Sequence, residues 1–102
     1  MPTESVPANS LQLRACIVAA ESLRYTPAGL PALSFQLDHD STLLEVGVDR
    51  NVKLVIKAVA FGTMAERLAK QAVGSVWTFN GFLCNARQGK SVVFHIQDFL
   101  QD

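Results

Sequence analysis

Apolar and polar residues alternate one by one over most of this chain, and the places where the alternation stops divide it into elements. Leu11, Leu13, Ala15 and Ile17 alternate with Gln12, Arg14 and Cys16, the period of two that sets one face of a strand on a core and the other in solvent. This first strand is expected to run to about Leu23. From Tyr25 to Pro31 come Pro27, Gly29 and Pro31, which withhold ladder donors and supply turn geometry, so the stretch predicts a connection. Leu33, Phe35, Leu37 and His39 then alternate with Ser34, Gln36, Asp38 and Asp40 as a second strand. The run Val52 to Phe61, rich in Val and Ile, predicts a third. Strands two and three form a long hairpin with its tip between Ser41 and Arg50.

The fourth segment changes period. Thr63-Met64-Ala65-Glu66 fits a capping box, and Ala65, Leu68, Ala69 and Ala72 follow at spacings of three and four, so a helix of about ten residues is expected, stopped by Gly74. A helix that short must pack on the sheet to persist. Trp77, Phe79, Gly81 and Leu83 then share one face of a fourth strand, with Thr78, Asn80 and Phe82 on the other. Gln88-Gly89 turns into a fifth strand from Ser91 to Leu100. The order β-β-β-α-β-β predicts an all-β fold: a five-stranded Greek-key OB-fold barrel with one short α-helix between strands three and four.

The length of 102 residues suits one core, and 49% hydrophobic with 18% charged residues is a globular composition. Residues 1–8, with two prolines and no periodic pattern, are expected to be a flexible tail, and residues 9–102 the single domain. No apolar run nears the roughly 20 residues of a membrane span, and the first residues lack the basic start and apolar stretch of a secretion signal. A cytoplasmic protein is expected. Cys16 and Cys84 have no C-x-x-C spacing and sit among apolar residues, which predicts buried thiols rather than a disulfide or a metal site.

Little in the chain points to catalysis. His39 lies between Asp38 and Asp40, but strand alternation turns the imidazole away from both carboxylates, and His39 and His95 are read as hydrogen-bonded residues at strand ends. Neither Ser41 nor Ser91 has a G-x-S-x-G context, no glycine-rich phosphate loop is present, and no Cys or His cluster has zinc spacing. No enzyme activity, metal or cofactor is expected. Binding is the remaining use of such a barrel, along strands two and three between the loops that join strands one to two and four to five.

Nine Lys and Arg balance nine Asp and Glu, so attraction of a polyanion has to come from local clustering. Arg24 and Tyr25 flank the first loop, Arg50, Lys53 and Lys57 lie on the central hairpin and strand three, and Arg87 and Lys90 bracket the last loop. A basic track with aromatic platforms is how proteins hold single strands. Tyr25 is the candidate platform, Trp77 is expected to fill the core, and Phe82 faces the other way, toward an oligomer contact.

The segment T-P-A-G-L-P-A-L-S-F-Q-L-D-H-D-S, from Thr26 to Ser41, together with Arg50 and G-S-V-W-T-F-N-G-F-L from Gly74 to Leu83, resembles the primosomal replication protein N family, relatives of bacterial single-stranded-DNA-binding proteins. The likeness runs from Asn9 to about Leu100. It implies a homodimeric OB fold without catalytic activity that binds single-stranded DNA during replication restart, bridges the restart helicase and helps recruit the helicase loader. A long first strand beside Phe82 suits such a dimer, with Leu11, Leu13 and Phe82 as its candidate contacts. Three positions depart from the family pattern. Val48 follows Gly47 where an aromatic is usual, Lys53 stands where the pattern has tryptophan, and the last loop has only Arg87 and Lys90 where the family is lysine-rich. Weak DNA binding follows from these, and with it an alternative: an OB-fold module that docks protein and stimulates the helicase with little DNA contact. An RNA-binding module is allowed by the fold, but no motif supports it.

Overall fold

The computed structural model describes residues 7–101. Six strands and one helix follow in the order β1 (Leu11–Ala20), β2 (Arg24–Tyr25), β3 (Pro31–Glu45), β4 (Val48–Phe61), α1 (Thr63–Ala69), β5 (Val76–Asn85) and β6 (Val92–Leu100). The five long strands close on themselves: β1 pairs with β5, β5 with β6, β6 with β4, β4 with β3, and β3 returns to β1. The β4–β6 contact is parallel, through Lys57, Ala58 and Val59 against Val93, Phe94 and His95, and the other pairings are antiparallel. This is the expected barrel with its helix between the third and fourth long strands, and closure leaves few free edges.

Side-chain alternation fills the interior. Ala15 and Ile17 of β1, Leu33, Phe35 and Leu37 of β3, Ala58 and Ala60 of β4, Phe79 of β5, and Phe94, Ile96 and Phe99 of β6 form the core with Ala65 and Leu68 of the helix. Phe99 breaks the parity of Phe94 and Ile96, and a one-residue bulge accounts for it. Asn80 pairs with Asp98 while Gly81 pairs with Ile96, so Gln97 is the extra residue that re-aims the end of β6 inward. β1 passes from β5 to β3 at Cys16, which pairs with both, and a second bulge, between Ile17 and Ala19, then shifts its register on β3.

Several boundaries differ from those the pattern predicts. β1 ends at Ala20 rather than Leu23, and Arg24 and Tyr25 pair with Ala32 and Pro31, so part of the proline-rich connection is strand. Pro31 is the first residue of β3, where a missing donor costs nothing. The central hairpin is longer than expected, with strands to Glu45 and from Val48 and a tip of only Val46 and Gly47, both at positive φ (52° and 75°), the backbone of a tight two-residue hairpin turn.

The capping box does not form. β4 continues to Phe61, so the N-cap is Gly62, at φ 69° and ψ −143° with no side-chain cap, and Glu66 N–H donates to the Gly62 carbonyl at 3.2 Å. The helix ends at Ala69 rather than Gly74, because the chain must return to β1, where Gly74 N–H donates to Ile17 O at 2.6 Å.

The cysteines differ too. Cys16 is half-buried, Cys84 is exposed, and both are free thiols. Cys16 has outward parity between the buried Ala15 and Ile17, and Cys84 lies where β5 runs past the core, beside the exposed Leu83. Trp77 packs edge-on against Phe99 at 5.0 Å and donates its indole N–H to Ser75 Oγ at 2.9 Å, which is core filling. The expected tail falls mostly in residues 1–6, outside the described residues. Asn9 is tied to β5 through both ends of its carboxamide, donating to Leu83 O at 2.7 Å and accepting from Leu83 N–H at 3.0 Å.

Candidate nucleic-acid interface

The outer face of β3 and β4 is built by the residues whose parity opposes the core. On β4 these are Lys53, Val55, Lys57, Val59 and Phe61, and on β3 Ser34, Gln36, Asp38 and Asp40. Their register sets Lys57 across from Gln36, Val55 across from Asp38 and Lys53 across from Asp40. Asn51 also donates to Asp40, at 3.1 Å. Positive charge on this face is therefore offset by carboxylates toward the hairpin, while Lys57 lies across from the uncharged Gln36 and shares its hollow with Glu21.

At the barrel end of the face the two loops meet over a cleft of about 380 Å³. Arg24, Tyr25, Thr26 and Pro27 line one wall, Asn85, Ala86 and Arg87 the other, and Ser34, Val59, Phe61, Val93 and His95 the floor. The first loop is braced by Thr26, whose N–H donates to Leu30 O at 2.9 Å and whose hydroxyl accepts from Leu30 N–H at 3.1 Å. Ala86 N–H closes the second onto Ser91 O at 2.7 Å. Arg24 Nη1 donates to Ser34 Oγ at 2.9 Å, which holds the guanidinium beside the cleft and leaves its other N–H groups for a ligand. A neighbouring hollow that includes Lys57 shares Ser34, Val59 and Val93 with the cleft, so Lys57, Arg24 and Arg87 border one continuous concave surface.

The remaining candidates are placed differently. Arg50 has the opposite parity from Lys53 and Lys57 and pairs with Glu45 on the hairpin arm, so it does not share their face. Lys90 is exposed at the tip of the last loop. Leu11 and Leu13 turn inward and pack against the core, whereas Phe82 lies on the outer side of β5, so these three do not form one surface.

The two histidines sit inside strands, not at strand ends. His39 bridges two elements: Nδ1–H donates to Arg14 O at 2.6 Å and Nε2 accepts from the Ser41 hydroxyl at 2.8 Å. His95 stands between two rings, parallel to Phe82 at 4.9 Å and 15°, and 6.0 Å from Phe61. Neither Phe61 nor His95 is singled out by sequence reasoning as part of a site. The available signal was parity, since Phe61 continues the outward series of Lys53 and Lys57.

A small closed β-barrel with a helix between its third and fourth long strands, and a cationic cleft between two loops on one face, defines an OB-type binding module. The model of a family described as another single-strand binding protein family matches residues 9–98. The replication restart protein PriB of Bordetella pertussis is 42% identical over 90 residues, covering 87% of this chain and 84% of that protein. A solved structure of PriB from Ralstonia solanacearum superposes with a TM-score of 0.84 at 39% identity, covering 93% of this chain and 98% of that one. A small single-stranded DNA-binding protein from Streptomyces coelicolor, 16% identical, shares the fold with a TM-score of 0.73 over 96% of each chain. The chain belongs to the single-strand binding protein family, on the branch of the replication restart protein PriB.

Proposed function

We propose that this chain is a non-enzymatic single-stranded-DNA-binding accessory protein of replication restart, and that it bridges the restart helicase and the helicase loader. The observation that carries DNA binding is the convergence of Arg24, Arg87 and Lys57 on one concave surface, where guanidinium and ammonium groups can follow a phosphate backbone. Lys53 and Lys90 extend the track at its two ends, and Tyr25, exposed on the cleft wall, is a further contact. Bridging rests on the family membership, and its test is a three-component pull-down in which the chain carries the loader onto the helicase.

The dimer we propose pairs β1 with β1. At Leu11–Leu13 that strand has β5 on one side, while the Arg14 carbonyl is held by His39 and pairing with β3 begins at Cys16, so a second copy can add at the start of the strand about a two-fold axis. A sedimentation mass of one chain at micromolar concentration would exclude it.

A second reading is favoured by Asp38 and Asp40, which lie on the same face as Lys53, and by the zero net charge. There the face docks a protein partner and DNA contributes little. Titration of labelled dT oligomers at low salt separates the two: saturable binding supports the first, and its absence together with intact helicase stimulation supports the second.

A further inference from the structure

The two histidines are held in different ways. His39 has both ring nitrogens engaged, by the Arg14 carbonyl and the Ser41 hydroxyl. His95 has ring contacts instead: Phe82, its cross-strand partner, lies nearly parallel to it at 4.9 Å, and Phe61 lies at 6.0 Å. Among the described residues no hydrogen bond reaches either nitrogen of His95, and no buried side-chain nitrogen lacks a partner, so both are open to solvent. The ring lines the floor of the cleft between the two loops.

The charges around it are mostly of one sign. Arg24 and Tyr25 face it from β2 and Arg87 from the last loop, and among the described residues no carboxylate lines the cleft. Lys57 and Glu21 lie in the adjoining hollow. Cys84 is two residues along β5 from Phe82, and Asp98, further along β6, lies across from Asn80 and accepts from Phe99 N–H at 2.9 Å. A histidine changes charge between about pH 5 and 8. Neutral, it turns one donor and one acceptor to its surroundings, and the acceptor repels a phosphate oxygen. Protonated, it has two donors, and its charge is attracted to the face of the aromatic ring behind it.

We propose that His95 is a proton-linked phosphate contact: its imidazolium form, resting on Phe82, donates to a phosphate that Arg24 and Arg87 also hold, and strand binding draws a proton onto the ring. Tighter binding by the protonated chain and proton uptake on binding are one coupling seen from its two ends. This proposal rests on the single-strand reading above. It adds to that site a response to pH that guanidinium and ammonium groups, charged throughout this range, cannot supply.

The test titrates a labelled dT oligomer, whose bases and phosphodiesters keep their charge state across this range, at several salt concentrations and at about pH 6 and pH 8. The wild-type chain is expected to bind about 3- to 10-fold more tightly at the lower pH, as one charge-assisted contact implies. Its salt slope should be steeper there by about 0.7, one further phosphate contact. His95→Gln should keep the weaker affinity and the shallower slope at both pH values, and His95→Lys the tighter binding and the steeper slope at both. His39 is present in all three chains, so a response that His95→Gln retains in full belongs elsewhere. Circular dichroism at both pH values checks that the variants fold, and calorimetry in two buffers of different ionisation enthalpy counts the proton taken up by the wild type without any variant. Wild-type binding that is indifferent to pH and takes up no proton, or a full wild-type response in His95→Gln, overturns the proton-linked contact and leaves strand binding in place. Failure of the wild type to bind at either pH in low salt removes the underlying reading, and this contact with it.

Discussion

At Gly81 a Cβ atom would lie 1.8 Å from the carbonyl oxygen of His95, which is backbone and cannot swing aside. The glycine is there because β5 and β6 approach closely at the bulge that turns Phe99 inward. Gly81→Ala is expected to cost the upper part of about 1–3 kcal/mol, seen as a lower urea midpoint with the m-value retained. Because His95 is both the partner of residue 81's neighbour and part of the cleft floor, the same variant should also weaken oligomer binding. Phe79 is fully buried and lies 6.2 Å from Phe35 and 6.3 Å from Phe99. Truncation to alanine should cost about 3–5 kcal/mol by the same measurement. Its role was legible in the alternation of β5, whereas the need for glycine two residues later was not, since the clash is with a strand 14 residues away in sequence.

Among the elements, the β3–β4 hairpin differs most from expectation, and its turn holds an avoidable strain. Val46 has φ 52°, a conformation unfavourable for a β-branched residue, and it is 96% exposed. Val46→Asn should relieve about 1 kcal/mol without loss of packing, raising the urea midpoint while leaving oligomer titrations unchanged. The arm extends beyond what alternation indicates for a physical reason. Leu43, Leu44, Val46 and Val48 are all exposed, so both faces of the arm meet water and the contrast that reveals a strand disappears. The helix shows the complementary failure: its apolar spacing was legible, but its ends were set by how far β4 runs and by the return of the chain to β1. Local capping chemistry had no say in either.

For the molecule as a whole the net charge is zero, so the strand binding proposed above depends on where the charges lie. Three to five phosphate contacts, from Arg24, Lys57 and Arg87 alone up to a set that includes Lys53 and Lys90, imply that log K falls with log salt at a slope of about −2 to −3.5. The double variant Lys57→Glu, Arg87→Glu should weaken binding of a dT oligomer at least 10-fold and flatten that slope by about 1.4, two contacts at roughly 0.7 each. Arg50→Glu should leave the slope unchanged, because Arg50 faces away and is already paired with Glu45. Fluorescence titrations at three salt concentrations read all of these outcomes.

The order of the elements, the inward residues of each strand and the closed barrel they build are consequences of local periodicity, because burial of one face per strand leaves few arrangements for five strands and a helix. The cations of the cleft were also visible as residue types near loops. What the linear chain cannot express is parity between elements. Register sets Lys53 across from Asp40 and Lys57 across from Gln36, and gathers Phe61, His95 and Phe82 from three separate strands. Those relations exist only once the hydrogen-bond ladders have aligned strands that lie far apart along the chain.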